Sequence, residues 1–282
     1  MTNTTQQTRS KLGGLISSYY PSLTKSEQKV ADIVLEQMEK VIYYSVTDLA
    51  DIASVGETTV LRFCRKIGLK GYQEFKLAIA KDISSVKEQK EEDSDSLIGS
   101  IAAYTKMAID ETVNMMDENM LQKAITLIEN ANSVHFFGVG TSGLTSLDAK
   151  NRFIRIGKRT DAIIDPHIQA MTAATFNNTD VVIGLSVSGS TKDTIDSLQV
   201  AKDNGAKIIA ITYYARSPIT KLADCVLLSG GKESPLEGGS LAAKISQLFV
   251  IDLLCTGIAL SDKEKSVLMK ERTARAVLNK LV

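Results

Sequence analysis

The sequence lacks most of the features that exported, metal-binding and membrane-spanning proteins need. Its 3 cysteines among 282 residues are an odd number, and none stands in a C-x-x-C pair. This argues against a zinc site and a disulfide framework and favours a reducing compartment. The first residues carry no apolar segment, and no stretch approaches the roughly 18 continuous apolar residues of a membrane helix. We therefore expect a cytoplasmic protein, neither exported nor membrane-embedded, that holds no metal ion or other cofactor.

Net charge is also missing. The 33 basic and 33 acidic side chains cancel to a formal net charge of zero at pH 7. No global field therefore draws the chain towards nucleic acid or an anionic membrane, and any such affinity must come from a local patch. The composition, 44% hydrophobic and 23% charged, is typical of a soluble chain with one large domain or a small domain joined to a medium one.

A polar segment, KEQKEEDSD (87–95), separates two regions of different pattern. It has no apolar residue to bury, which favours a linker; the alternative is one polar turn on a continuous helix from Phe75 to Met116. The sequence thus predicts a helical domain over residues 1–86, a linker over 87–96 and a second domain over 97–282.

The second domain alternates short apolar runs with longer helical stretches. Each run is aliphatic and bounded by Gly, Asp, Asn or Ser, which is typical of parallel strands buried on both faces. The runs are VHFFGVG (134–140), DAIID (161–165), DVVIGLSVSG (180–189), KIIAITYY (207–214) and CVLLSG (225–230). They predict an α/β domain with a doubly wound, five-stranded parallel sheet of flavodoxin-like order 2-1-3-4-5. Further helices are expected at 96–116, 118–131 and 240–260.

Two strand-to-helix turns carry the candidate chemistry of this domain. The first, GVGTSG (138–143), fits the dinucleotide pattern G-x-G-x-x-G, with Asp165 at the end of the next strand. The second places four hydroxyls after the third strand, at Ser186, Ser188, Ser190 and Thr191. Since a dinucleotide fold has no use for that cluster, the second turn argues against a dinucleotide site.

A phosphate monoester suits both turns better. In the expected strand order the turns after the first and third strands are neighbours, so Ser142 would face Ser186, Ser188 and Thr191. Helix N-termini carry about +0.5 charge and hydroxyls donate hydrogen bonds, so a dianion is held without Lys or Arg. The alternative is that the hydroxyls merely cap helices, but capping needs one hydroxyl per helix.

The motifs GVGTSG and SVSGSTKDT resemble those of the SIS (sugar isomerase) domain over residues 97–260. The second SIS loop commonly has the pattern S-x-S-G-x-T and holds the phosphate of a phosphosugar. The resemblance implies ligand roles for Ser142, Ser186, Ser188 and Thr191. The full predicted sugar-phosphate site is Gly140, Thr141, Ser142, Ser186, Ser188, Gly189, Ser190 and Thr191.

Catalytic groups are not indicated. A phosphosugar isomerase or lyase needs a buried Glu or His as general base. His135 lies within a predicted interior strand and is expected to be packed, whereas His167 begins a helix near the cleft. Glu233 and Glu237 lie in the loop after the fifth strand. We assign no catalytic residue, and ligand contacts by His167, Glu233 and Glu237 stay open.

The first domain contains helix-turn-helix spacing. LTKSEQKVADIVLEQME (23–39) predicts a helix starting at Ser26, with Val30, Ile33, Val34 and Met38 on one face. SVTDLADIASVGETTVLRFCRKIG (45–68) then predicts a helix from Thr47, a turn at 54–56 and a helix over Glu57–Ile67. The predicted apolar contacts between the two short helices are Leu49, Ala50, Ile52, Val55, Val60, Phe63, Cys64 and Ile67.

A local basic patch accompanies this spacing. Residues 57–81 contain two acidic residues and six basic ones: Arg62, Arg65, Lys66, Lys70, Lys76 and Lys81. Early residues of a recognition helix reach base edges, and flanking cations fix the register on phosphates. The predicted DNA-binding residues are Thr58, Thr59, Arg62, Arg65, Lys66 and Lys70. The alternative is a solvated charged helix face.

The chain as a whole resembles the RpiR/MurR family of bacterial transcriptional regulators. The resemblance rests on three features in this order: LTKSEQKVADIVLE, SVTDLADIASVGETTVLRFCRKIGLKGYQEFKLAI and the SIS loops. The resemblance implies a helix-turn-helix domain that binds operator DNA and an SIS domain that senses a phosphosugar. We therefore expect a homodimer or homotetramer that is not an enzyme and that regulates genes of sugar or amino-sugar metabolism. Gly56 stands where the family often has Ser, and Ala243-Lys244 stands where Ser-Arg is expected, which leaves a ligand role for Lys244 open. The alternatives are an SIS isomerase or lyase with an accessory helical domain, and a dinucleotide-dependent protein.

Overall fold

A computed structural model describes residues 11–87, 96–236 and 238–280. Apart from the loop Glu233–Gly238, these residues divide into two compact units between Ser100 and Ile101, here called the helical unit and the α/β unit. The predicted linker lies outside the described residues except at its two ends, as does the middle of the alternative continuous helix. The domain boundaries therefore stay predictions.

The helical unit is built from five described α-helices around one apolar core. They are α1 (Lys11–Tyr19), α2 (Lys25–Val41), α3 (Val46–Ile52), α4 (Glu57–Lys66) and α5 (Tyr72–Lys87). Val34, Leu49, Phe63 and Phe75 are fully buried in this core. The rings of Phe63 and Phe75 meet edge to face with centroids 5.7 Å apart, a favoured aromatic geometry that locks α4 onto α5.

Local capping sets where α2 begins. Thr24 Oγ1 accepts a hydrogen bond from Glu27 N, and Glu27 Oε2 accepts one from Thr24 N at 2.8 Å, a complete capping box. The predicted start at Ser26 is therefore wrong, because the residue three positions after Ser26 is Lys29, which cannot accept a hydrogen bond in return. Similarly, α3 is capped by Ser45 with Asp48 and begins at Val46, one residue before the predicted start.

The predicted contacts between α3 and α4 are confirmed with one exception. Val55 is partly buried and packs against the core. The six buried residues are Leu49, Ala50, Val60, Phe63, Cys64 and Ile67. Ile52, by contrast, is 43% exposed. Leu49, Ala50 and Ala53 define the inward face of α3, and Ile52 is rotated about 100° from Ala53 on the helical wheel.

The α/β unit contains a fully parallel five-stranded sheet in the order β2-β1-β3-β4-β5. This confirms the predicted doubly wound sheet. The strands are β1 (Ser133–Phe137), β2 (Thr160–Ile163), β3 (Asp180–Leu185), β4 (Lys207–Thr212) and β5 (Cys225–Leu228). Each strand ends before its predicted apolar run does, because the last residues of each run form the turn that follows.

Helices cover both faces of the sheet. The described α-helices from Leu97 onward are α6 (Leu97–Met115), α7 (Glu118–Asn130), α8 (Gly140–Arg155), α9 (Pro166–Ala173), α10 (Lys192–Asp203), α11 (Leu241–Ser261) and α12 (Lys263–Arg275). The last of these, α12, packs on α8 and α11. Successive residues of a strand point to opposite faces, so Phe136 lies in one core and Phe137 in the other. Both cores are closed around β3, whose six residues are all buried.

Within the described ranges, α11 alone is long and apolar enough to cross a membrane. Its residues Val250, Ile251 and Leu254 are fully buried in the core that also contains Phe136. The helix also carries Lys244 and Asp252. In this fold α11 is the central core helix of the α/β unit.

Candidate phosphate-binding turns and nucleic-acid surface

The two candidate turns leave adjacent strands at the same edge of the sheet. β1 and β3 pair in parallel, with Phe137 opposite Gly184, and neighbouring strands lie about 4.8 Å apart. The turn beginning at Gly138 and the turn beginning at Ser186 therefore start side by side. Such an edge, at the point where strand order reverses, is where open α/β sheets bind ligands.

The second turn, residues 186–191, is held closed by its own polar groups. Ser186 Oγ and Thr191 Oγ1 share a hydrogen bond of 2.9 Å, and Gly189 N donates to Ser186 O at 3.1 Å. Ser190 N donates to Ser188 Oγ at 3.2 Å. The predicted hydroxyl cluster is thus gathered within one compact turn.

The segment after β4 supports this turn from behind. Tyr213 N donates to Val187 O at 3.1 Å, and Ile219 N donates to Gly189 O at 3.0 Å. Gly189 has φ +60, and a Cβ added to it would lie 2.1 Å from Ser217 Oγ. A side chain at position 189 is therefore disfavoured both by the left-handed backbone and by lack of space.

The first turn is positioned by two buried glutamines that the sequence reading missed. Gln247 Nε2, on α11, donates to Ser142 Oγ at 3.3 Å. Gln169 Nε2, on α9, donates to Gly138 O at 3.1 Å and to Ile163 O at 2.7 Å. A single glutamine inside a helix has no spacing that marks it, so the sequence offered no signal for either residue.

Helix α10 starts without a side-chain cap, which argues against a mere capping role for the hydroxyls. Its N-cap Thr191 makes no side-chain cap hydrogen bond, and neither does Val139, the N-cap of α8. By contrast, Asp165 caps α9 and Ser240 caps α11. The positive ends of α8 and α10 therefore point to the sheet edge where the two turns begin.

The remaining cleft candidates occupy varied surroundings. His167 is exposed in the first turn of α9, while Glu233 and Lys244 are half-buried. Glu237 lies outside the described residues. The ligand contacts of all four residues stay predictions.

His135 is packed, as predicted. Its ring lies 4.5 Å from that of Phe176, and its Nε2 is 2.8 Å from Ser133 Oγ, which donates to Asp180 Oδ1 at 2.6 Å. Burial lowers the pKa of His135 below its ordinary value, although the negative charges of Asp180 and Asp161 act to raise it. The ring is therefore a neutral packing element on β1.

No group of three or more metal-ligating side chains occurs among residues 11–87, 96–236 and 238–280. Burial raises the pKa of the Cys64 thiol to about 12 and that of Cys225 to about 11. Both thiols stay protonated at neutral pH and are poor nucleophiles.

The exposed face of α4 carries two arginines side by side. Arg62 and Arg65, three residues apart, are exposed, and neither forms an ion pair with another described residue. Thr58 and Lys70 are also exposed, and Thr59 is partly so. These side chains are available to an external polyanion.

Two lysines behave differently from the predicted patch. Lys66 Nζ lies 3.0 Å from Glu27 Oε2, so its charge helps hold α4 on α2. Burial alone would raise the pKa of Glu27, but hydrogen bonds from Thr24 and Lys66 outweigh it and lower that pKa. Lys76 is 5% exposed, and its inclusion in the surface patch is wrong.

Lys76 is buried because α5 turns it inward beside Phe75 and Ile79, which are fully buried. Burial lowers the pKa of Lys76 to about 8, although the charge of Asp48 opposes this shift. Counting charges along the sequence treats every lysine as exposed, which fails for a side chain on the inner face of a helix.

Two family models match the chain. The model described as the helix-turn-helix domain of the rpiR family matches residues 11–86, and the SIS domain model matches residues 127–257. An HTH-type transcriptional regulator of Haemophilus influenzae is 37% identical over 277 residues, covering 95% of this chain and 96% of that protein. The regulator HexR of Pseudomonas aeruginosa is 31% identical over 251 residues, covering 87% of this chain and 88% of that protein.

Solved structures with the same fold include the NanR protein of Vibrio vulnificus complexed with ManNAc-6P. It has a TM-score of 0.88 and 28% identity, covering 95% of this chain and 98% of that chain. The sugar isomerase domain of an RpiR transcription factor from Sphaerobacter thermophilus has a TM-score of 0.59 and 23% identity, covering 64% of this chain and 98% of that domain. At that identity, the second likeness supports the fold alone.

Proposed function

The chain belongs to the RpiR family of helix-turn-helix transcriptional regulators that carry an SIS domain, and from this premise we propose that a phosphosugar bound at its two turns controls its binding to operator DNA. The regulated genes would serve sugar or amino-sugar metabolism. The protein would act in the cytoplasm as a sensor and not as an enzyme.

The observation that carries the proposal is the pairing of two uncapped helix N-termini with a hydroxyl cluster at one sheet edge. A phosphate monoester is a dianion that gains from both helix dipoles and from several neutral donors. Hydrogen bonds to a charged group contribute about 1.5–3 kcal/mol each. Four or five such donors are enough to bind a small metabolite.

The described hydrogen bonds also indicate which hydroxyl protons of the two turns are available to donate to a phosphate. Ser142 Oγ already accepts from Gln247, and Ser188 Oγ accepts from Ser190 N. Each of these hydroxyls therefore has its own proton free for a phosphate oxygen. In the Ser186–Thr191 pair one hydroxyl donates to the other, so a third proton remains.

Amino-sugar phosphates are the first effectors to test. NanR of Vibrio vulnificus was solved with ManNAc-6P, and it resembles this chain over 95% of its length. For this chain we propose an effector from the class of hexose and hexosamine 6-phosphates, without naming one sugar. The loop 232–240 and the residues His167, Glu233, Glu237 and Lys244 are the candidates for selecting it.

On the DNA side, Arg62 and Arg65 are the leading contacts in this proposal, with Thr58, Thr59, Lys66 and Lys70 beside them. A two-fold dimer would present two copies of α4 to half-sites about 34–36 Å apart or a multiple of that. A homodimer or homotetramer is supported by exposed apolar side chains on α8 and α9, because such clusters mark interaction surfaces. These side chains are Leu144, Leu147, Ile154, Ile168 and Met171.

The experiment is a thermal-shift screen of the full chain against hexose and hexosamine 6-phosphates, including ManNAc-6P, and against NAD(P). Operator binding is then measured with and without each hit, on a duplex selected from a random library. We expect at least one phosphosugar to stabilise the protein and to change operator affinity without being converted. Turnover would favour the isomerase or lyase alternative, and stabilisation by NAD(P) alone would favour the dinucleotide alternative.

A paired variant assigns the response to the second turn. Ser188→Ala with Thr191→Ala should abolish the thermal shift and the operator response but leave the affinity for operator in the absence of effector unchanged. The matched control is Thr175→Ala with Ser261→Ala, which removes two exposed hydroxyls elsewhere in the α/β unit. An unaltered response in the first variant contradicts the assignment of the turn.

A further inference from the structure

A carboxylate outside the predicted site, Glu111 on α6, ties together the segments that follow β4 and β5. Glu111 Oε1 accepts a hydrogen bond from Tyr213 Oη at 3.0 Å. Its other oxygen, Oε2, accepts one from Gly231 N at 3.0 Å. One side chain on α6 is therefore bonded to two loops at the same edge of the sheet as the candidate turns.

Tyr213 also contacts the second turn directly. Its backbone N–H donates to Val187 O at 3.1 Å, and Thr212 Oγ1 donates to the same carbonyl at 3.2 Å. Val187 stands between Ser186 and Ser188 in the hydroxyl cluster. Tyr213 is thus bonded to the second turn through its backbone and to Glu111 through its phenol.

The contact between α6 and the loop after β5 is tight. Thr112 Oγ1 accepts from Gly230 N at 2.8 Å, and Ser246 Oγ donates to Ala108 O at 3.1 Å. A Cβ added to Gly230 would lie 2.2 Å from Ala108 O. This half of α6 is therefore closely packed against the loop, with little room for either backbone to shift alone.

The other half of α6 leads towards the DNA-binding domain along the chain. The helix begins at Leu97, directly after the segment 88–96 that joins it to α5. Leu97 is 74% exposed and Ile98 is 82% exposed, so few contacts of the α/β unit restrain that end. The described hydrogen bonds that tie α6 to the loops and to α11 lie between Tyr104 and Thr112, so the placement of the helix on the α/β unit is set there.

We propose that Glu111 is a positioning residue that couples occupancy of the two turns to the placement of α6, and thereby to operator binding. This inference rests on the function proposed above. An effector regulates DNA binding only if it favours one arrangement of the protein over another. The Tyr213–Glu111–Gly231 connection is the contact through which the second turn biases α6.

The test compares coupling with binding in the Glu111→Ala variant. The coupling factor is the ratio of operator Kd values with and without saturating phosphosugar, taken as the strongest hit of the screen. Typical coupling factors are about 5- to 150-fold. We expect the factor to fall at least about fivefold and towards one, while operator affinity without effector and effector affinity without DNA stay within about threefold.

Three further variants separate coupling from general damage. Tyr213→Phe keeps the ring, removes the hydroxyl that donates to Glu111, and should lower the coupling factor in the same direction, which keeps the test valid if Glu111→Ala folds poorly. Glu111→Gln keeps an acceptor for Gly231 N and should retain more coupling than Glu111→Ala. Asp110→Ala removes an exposed carboxylate from the same helix and should leave the factor unchanged.

Each contrary result has a distinct meaning. Wild-type coupling in both Glu111→Ala and Tyr213→Phe overturns this inference and leaves the proposed function standing. Loss of effector binding itself in Glu111→Ala also overturns it, since Glu111 would then belong to the binding site. A wild-type protein whose operator affinity responds to no phosphosugar overturns the proposed function and this inference with it.

Discussion

The helical unit and the α/β unit differ in the side chains that they offer to a phosphate group. On α4 the candidate contacts are the exposed cations Arg62 and Arg65. In the α/β unit neither turn, 138–142 or 186–191, contains a lysine or arginine, and the next cation, Lys192, forms an ion pair with Asp196. The first arrangement relies on charge and the second on directed neutral donors.

The difference suits the two ligands of the proposed function. DNA is an extended polyanion whose binding gains from counterion release, so mobile surface cations suit it. A sugar phosphate is one small dianion, and fixed amides and hydroxyls recognise its shape as well as its charge. Operator binding should therefore fall steeply with salt, while effector binding should depend on salt only weakly.

The two units share one local feature. Among the α-helices whose N-cap is described, α4, α8 and α10 have no side-chain cap hydrogen bond, with Gly56, Val139 and Thr191 at the N-cap. The α-helices α2, α3, α7, α9, α11 and α12 are all capped by a side chain. A cap contributes about 1 kcal/mol, and a break in a local rule is expected at functional sites.

Removing both arginines should have the largest effect and tests the charge-based half of the comparison. Arg62→Ala with Arg65→Ala should weaken operator binding about 100-fold or more and reduce the salt slope by about 2, because two phosphate or base contacts are lost. Affinity is measured by fluorescence anisotropy across a salt series. Effector binding should not change.

The matched control for this pair is Arg272→Ala with Arg275→Ala, which removes two exposed arginines at the same spacing on α12. That variant should bind operator like the wild type. An equal loss in both variants would mean that general charge, and not the face of α4, sets the affinity.

Substitutions at two glycines test the other half of the comparison, the turns that hold no lysine or arginine. Both glycines have a left-handed backbone, with φ +60 at Gly189 and φ +58 at Gly140. The Cβ of Gly189→Ala would lie 2.1 Å from Ser217 Oγ, whereas that of Gly140→Ala has no atom within 4 Å. Both pay about 1–2 kcal/mol for a left-handed backbone, and only Gly189→Ala adds a clash. We expect a loss of about 3 kcal/mol in the free energy of unfolding for Gly189→Ala and about 1 kcal/mol for Gly140→Ala.

Urea unfolding and effector titration measure both glycine variants. The effector response should disappear in Gly189→Ala, since the second turn must rearrange to admit the methyl group. Similar losses in the two variants would show that backbone conformation alone, without packing against Ser217, decides the cost.

Lys76 tests whether all basic residues of the first unit serve DNA. Its pKa of about 8 lies below the ordinary value of 10.5, so below pH 8 the folded state carries a buried ammonium at a cost. Lys76→Met removes this desolvation cost, a gain that is offset by the loss of the attraction to Asp48, and it should not weaken operator binding.

The pH dependence of that gain has a definite sign. Between pH 8 and 10.5 the unfolded chain binds more protons at Lys76 than the folded chain, so wild-type stability rises with pH through this window. The advantage of Lys76→Met should shrink over the same range in urea unfolding followed by circular dichroism. Lys29→Met, at an exposed position, should show neither the gain nor the trend.

The sequence predicted what depends on local pattern. Buried parallel strands are short apolar runs, so the sheet and its order followed from the runs and common topology, and the hydroxyls of residues 186–191 marked the second turn. Contacts between distant residues were invisible. Gln247 and Ser142 are 105 positions apart, and Glu111 and Gly231 are 120 apart. The exposure of Ile52 and the burial of Lys76 depend on how a helix is turned against its neighbours, which charge and apolarity alone do not determine.

The smallest effect concerns the uncapped start of α4. Gly56 has an ordinary extended backbone, φ −80 and ψ 153, and an added Cβ would meet only Thr58 Oγ1 at 3.7 Å. In Gly56→Ser the hydroxyl oxygen can accept from a first-turn amide while its proton points outward. Capping should then raise the free energy of unfolding by a few tenths of a kcal/mol.

The same hydroxyl proton can donate to a DNA phosphate. At an exposed surface one added hydrogen bond, with a net contribution of about 0.5–1.5 kcal/mol, should tighten operator binding by about twofold to tenfold. Gly56→Ala, which supplies the methylene without the hydroxyl, is the control and should gain neither stability nor affinity. If Gly56→Ser gains stability but loses affinity, the amides at the start of α4 contact the DNA themselves, and the missing cap is then part of the DNA-binding surface.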